Sequence, residues 1–107
     1  MTYAYWNIQA ITGYEPKTTF YEDFSIAENF GPNAIRETYD WAFREWKDDP
    51  VYLTELVMVL NWKLWEQYQV GNQEFADLYN ELWEKADIWA CEHLEGEDLA
   101  YFYRTTD

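Results

Sequence analysis

The sequence predicts an all-α fold, a single-domain bundle of five or six helices with a long central hairpin formed by residues of about 50–70 and 73–94. Three observations lead there. Apolar side chains recur every three or four residues from Thr19 to Leu94, the period of one helix face. The few glycines and prolines fall between these stretches, where they stop and start helices. Finally, 49% of the residues are apolar and 21% aromatic, too apolar for a disordered chain despite its charge. A chain of 107 residues holds one core rather than two, so 1–107 reads as a single acidic helical domain.

Taken in order, residues 3–12 fit two patterns. Tyr3, Tyr5 and Asn7 alternate with Ala4, Trp6 and Ile8 as in a strand, whereas Ala4, Ile8 and Ile11 fit a helix. Gly13 and Pro16 make a helix stop, which favours a short helix. Thr19-x-x-Glu22 and Ser25-x-x-Glu28 both read as capping boxes, so Phe20 to Phe30 is one helix or two meeting at Ser25. Gly31 ends it and Pro32 suits the first position of the next, where Ile35, Tyr39, Ala42 and Trp46 share a face over 32–47. Asp49 can cap the following helix with Pro50 in its first turn.

The stretch Pro50 to Val70 is the most apolar. Leu53, Leu56, Val57, Leu60 and Leu64 make one stripe, and Val59, Trp62 and Trp65 widen it around the cylinder, the mark of a helix central in its bundle. Gly71 stops it and Asn72 caps the next, which runs from Gln73 to Leu94 with Phe75, Leu78, Tyr79, Leu82, Ala86, Trp89, Ala90 and His93 on its inner side. The short Gly-Asn link makes these two long helices antiparallel neighbours. Gly96 closes the second, and Glu97 and Asp98 suit the start of a last short helix to about Arg104.

The net charge of −14, from 21 acids and 7 bases, argues against direct binding to nucleic acid, which needs a Lys/Arg footprint. It argues equally against anionic membrane surfaces. No apolar run reaches the roughly 18 residues of a membrane span, and no secretory leader is visible. The single Cys91 cannot make an internal disulfide, so a cytoplasmic setting is expected.

Catalytic chemistry finds little support. Nucleophilic catalysis wants a base beside the nucleophile, but the one histidine, His93, lies two residues from Cys91, a spacing at which helical side chains diverge. Packing roles explain both. One His and one Cys cannot close a zinc site, and Ala90 stands where a di-iron Glu-x-x-His motif needs Glu. Asp77, Glu81 and Glu84 could hold a hard cation only loosely. No phosphate-binding loop or nucleophile elbow occurs. The expectation is therefore no enzyme, no metal and no cofactor.

Two features point to partners. Residues 72–98 hold nine acids against Lys85 alone, and Glu74, Asp77, Glu81, Glu84 and Asp87 recur every three or four residues, lining one helix face. Such a row can dock a basic protein or imitate a phosphate backbone, and a plain solvated face has the same pattern. The second feature is aromatic. Of seven tryptophans, Trp41, Trp62, Trp65 and Trp83 fall at or beyond the edges of the apolar stripes, and exposed Trp is a favoured interface anchor; wide, continuous packing in a small bundle accounts for the same positions equally well. A homodimer is compatible with either.

The segment Ile8-x-x-Ile11-Thr12-Gly13-Tyr14-x-Pro16-x-Thr18-Thr19-Phe20, with Asp23-Phe24-Ser25-Ile26-Ala27 and Leu53-Thr54-Glu55-Leu56-Val57, resembles small proteins of phages and conjugative elements of Gram-positive gut bacteria over most of the chain. That group contributes no activity or binding residues to carry over. The resemblance implies an accessory role in a mobile element, a setting in which acidic inhibitors of host nucleases are common. The leading expectation is a non-enzymatic helical protein acting by protein binding. The alternative is a DNA mimic that inhibits a host nucleic-acid-binding enzyme, and a cryptic enzyme comes third.

Overall fold

The computed structural model describes residues 16–106. The short helix expected over 3–12 lies outside them. Five α-helices follow one another: α1 Phe20–Ala27, α2 Pro32–Trp46, α3 Pro50–Val70, α4 Gln73–His93 and α5 Gly96–Thr106. A 3-10 turn, Glu28–Phe30, continues α1. No strand occurs among the described residues. The fold is all-α, as the sequence predicts.

The helix ends show which local signals act. Asp49 Oδ1 accepts from the backbone N–H of Val51 at 3.1 Å and of Tyr52 at 3.4 Å, and Pro50 occupies the first turn of α3. Gly71 closes α3 with φ +76°, a left-handed conformation that favours glycine. Asn72 Oδ1 then accepts from Phe75 N–H at 3.2 Å to open α4.

The two N-terminal capping boxes do not form. Thr19 precedes α1 without a side-chain cap bond, and its hydroxyl donates instead to Asp23 Oδ2 at 2.9 Å. Ser25 lies inside α1, where its hydroxyl donates to Tyr21 O at 2.8 Å. A serine one turn past a buried Tyr21 can satisfy its hydroxyl on the preceding turn, so nothing breaks the helix there.

α3 is the centre of the molecule. Every residue from Leu53 to Leu60 is buried, which no two-sided amphipathic helix allows. It packs most extensively on α4 and touches α5, α2 and α1 as well. The core gathers Phe20, Phe24, Ile35, Tyr39, Leu56, Leu60, Tyr79, Leu82 and Phe102 from all five helices.

Two charged residues sit inside this apolar frame. Glu55 is fully buried, and its carboxylate accepts from the backbone N–H of Lys17 at 2.7 Å and of Thr18 at 2.9 Å, tying the segment before α1 to the second turn of α3. Lys63, with 1% of its side chain exposed, pairs with Glu28 and, at 3.2 Å, with Glu66.

Candidate functional site

Three large apolar side chains remain in solvent on one side of the bundle: Ile26 at 58%, Phe30 at 76% and Trp41 at 40% exposure. They arise from different local causes. Ile26 is on the outer face of α1, Phe30 ends the 3-10 turn, and Trp41 is on the flank of α2 facing α1. The turn at Gly31, with φ +99°, folds α2 back beside α1, and the three side chains come to line one groove of about 460 Å³. Ala27 and Ala34 form its floor, and Asp23 and Glu37 stand at its rim. Trp41 is held in place edge-on to Phe20, with ring centroids 6.4 Å apart.

The other expected aromatic positions scatter. Trp65 is exposed, with Tyr68 exposed one turn further along α3, and neither lines this groove. Trp62 is in the core at 8% exposure, because a helix buried on nearly every side turns it inward; it offers no contact surface. Trp83 is half-buried against the core, and its indole N–H is buried without a hydrogen-bond partner. Only Trp41 of the four lies in the groove. Ile26 and Phe30 escaped sequence reading because the first sits within an apparent capping box and the second beside a helix stop.

Glu74, Asp77, Glu81 and Glu84 are exposed along α4, whereas Asp87 is half-buried. At 100° per residue Asp87 lies about 60° around the helix from Glu84. The row is partly engaged: Gln73 donates to Asp77 at 2.7 Å, and Arg36 on α2 lies 3.8 Å from Glu81. Exposed Ile88 follows it on the same helix. Groove and stripe therefore occupy opposite flanks of α2 and do not form one surface.

A buried polar network lies on the face of α1 turned toward α3, away from the groove. The Lys63 ammonium pairs with Glu28 and Glu66 and donates to Ser25 Oγ at 3.2 Å. It also stands 4.9 Å from the centre of the Tyr21 ring. Gln67 donates to Glu28 Oε2 at 2.6 Å, Tyr79 to Glu28 Oε1 at 3.1 Å, and Tyr21 to Glu66. Burial, and then the Glu28 carboxylate, hold the Tyr79 phenol far above the ordinary tyrosine value. None of the four groups around Lys63 lines the groove, and every oxygen of the two carboxylates has a partner. The arrangement locks α1, α3 and α4 together rather than presenting chemistry to a substrate. The spacing of Lys63, Glu66 and Gln67 on one face of an otherwise apolar helix was its sequence signal.

His93 and Cys91 do not cooperate. The His93 ring stacks on Trp89 with centroids 4.5 Å apart, and its Nδ1 lies 2.9 Å from Trp89 O. Cys91 is exposed rather than packed, with its sulfur 2.7 Å from the Tyr103 hydroxyl; its position on α4 faces away from the core side held by Ala86 and Ala90. Among the described residues no three His, Cys, Asp or Glu side chains converge as a metal site, and no helix is long and apolar enough to cross a membrane. Comparison with protein-family models, with curated proteins and with solved structures returns no match.

Proposed function

We propose that this protein is a non-enzymatic binding module that captures a segment of another protein in the groove between α1 and α2. The observation that carries this reading is the convergence of Ile26, Phe30 and Trp41, all substantially exposed, on one acid-rimmed groove. Leaving such side chains in water forgoes about 25 cal/mol for each Å² that packing would cover, so a surface that gathers three of them favours an occupant. A groove between two helices suits an amphipathic helix laid into it by apolar anchors one turn apart. Asp23 and Glu37, on a chain of net charge −14, call for Lys or Arg flanking those anchors. The same charge disfavours a second copy of this chain as the occupant.

The DNA-mimic alternative receives less support. Glu74 to Glu84 span about 15 Å of helix, over which a duplex presents about nine phosphates; the row supplies four exposed carboxylates, one of them beside Arg36. An accessory role in a mobile element is proposed on the sequence resemblance alone.

The test is selection of binders from a displayed library of random helical peptides, followed by affinity measurement. Selected peptides should carry apolar anchors flanked by Lys or Arg. Ile26→Ser with Phe30→Ser should weaken them at least about tenfold, or about 1.4 kcal/mol, while circular dichroism stays unchanged. Binders indifferent to that double change, or a groove that proves to be covered by dimerisation in sedimentation, would overturn the reading.

A further inference from the structure

On the flank of α2 opposite that groove, where α2 meets α4, lies a second cleft of about 410 Å³, within the range of small-molecule sites. Its wall is aromatic and braced. Phe43 meets Trp89 edge-on with centroids 5.3 Å apart and 90° between planes. On its other side Phe43 stacks against Tyr39 at 5.7 Å, and His93 backs Trp89. Exposed Ile88 completes the apolar surface. A wall fixed by ring contacts on both sides is formed before any ligand arrives, which lowers the ordering cost of binding.

The charge around this wall departs from the rest of the molecule. Arg44, Lys47 and Lys85 line the cleft, three of the seven basic residues in a chain with 21 acids. None of the three forms an ion pair among the described residues, whereas Arg36 and Lys63 both do. Lys85 instead rests over the Tyr39 ring, 5.6 Å from its centre. Burial, and then Asp40, push the Tyr39 phenol up to about 12, so that ring remains neutral under the ammonium. Asp40 and Glu92 also border the cleft, leaving a small local excess of positive charge. Beyond it the surface is acidic and repels a long polyanion.

We propose that this cleft binds a small organic anion, a planar aromatic body bearing one carboxylate or phosphate. The body lies against Phe43, Ile88 and Trp89, and the anionic group meets Arg44, Lys47 and Lys85. The site is distinct from the α1–α2 groove and does not rest on the protein-capture reading. No covalent step is implied.

Calorimetry at low salt with naphthyl phosphate, naphthoate, neutral naphthol and inorganic phosphate tests it. At least one aromatic anion should bind about tenfold or more tighter than naphthol and than inorganic phosphate, and the stronger of the two identifies the head group. Binding should shift the Trp89 indole N–H resonance. Arg44→Gln with Lys85→Gln, both at exposed positions, should weaken the aromatic anions about tenfold and leave naphthol unchanged. The proposal is overturned by equal affinity for naphthol, by equal affinity for inorganic phosphate, by resonance shifts confined to Ile26, Phe30 and Trp41, or by no binding of either aromatic anion at about millimolar concentration.

Discussion

Taking the Lys63 ammonium out of water costs several kcal/mol, and the residues around it offset that cost only as a set. Two carboxylates, one hydroxyl and one aromatic face meet the ammonium, and Gln67, Tyr79 and Tyr21 donate to those carboxylates in turn. Lys63→Met would leave Glu28 and Glu66 facing each other without a cation. We expect a loss of about 3 to 5 kcal/mol, read as the shift in urea midpoint, and recovery of much of it when Glu28→Gln and Glu66→Gln are added. A loss under about 1 kcal/mol would mean that the carboxylates are already hydrated. Thr54 shows the reverse case, a hydroxyl buried without a partner on the same helix. Thr54→Val keeps the shape and removes the unpaired donor, so it should stabilise by about 1 kcal/mol; a net loss by thermal denaturation would show that the hydroxyl is satisfied.

Each helix owes its ends to a few residues, which explains how much of the fold could be read in the sequence. Asp49, Pro50, Gly71 and Asn72 act within five residues of their own position, and the bounds of α2, α3 and α4 follow from such signals almost to the residue. Asp49→Ala removes both bonds to the first turn of α3 and should cost about 0.5 to 2 kcal/mol, measured by chemical denaturation; Asp49→Asn should recover most of it, and equal losses for the two would implicate charge rather than the cap. The motif at Ser25 misled because local capping competes with packing: Tyr21 and Phe24 before it and Ala27 after it are buried, and that burial favours a continuous helix. Phe30 and Ile26 were illegible for a different reason. Periodicity reports which residues share a face of one helix, but a groove is made by two helices, and the angle at Gly31 that sets them side by side is a tertiary property. Glu55 likewise owes its burial to a tertiary contact that periodicity does not report, the backbone N–H groups of Lys17 and Thr18 that meet its carboxylate.

At the scale of the whole molecule, charge and apolar surface are distributed over separate flanks of α2, the acid-rimmed groove on one side and the cation-lined cleft and α4 stripe on the other. With 21 acids against 7 bases, most carboxylates have no cation to pair with, and the folded state carries the resulting repulsion. The Arg36–Glu81 pair does little to relieve it, since both side chains are about half exposed or more and exposed pairs contribute little. Changing Glu74, Glu81 and Glu84 to Gln and Asp77 to Asn should therefore raise stability at low ionic strength rather than lower it. The gain should shrink as salt is added, because at about 0.5 M the Debye length falls to roughly 4 Å, below most of the distances over which these charges act. Urea denaturation of both proteins at about 10 mM and 500 mM salt provides the comparison. A variant less stable than the parent at low salt would mean that the stripe's local contacts, Gln73 to Asp77 and Arg36 to Glu81, outweigh the repulsion. A gain that persists unchanged at high salt would trace the effect to helix propensity instead of charge. In the peptide selection above, the same variant should retain the binders taken up by the α1–α2 groove, since the stripe lies on the other side of α2.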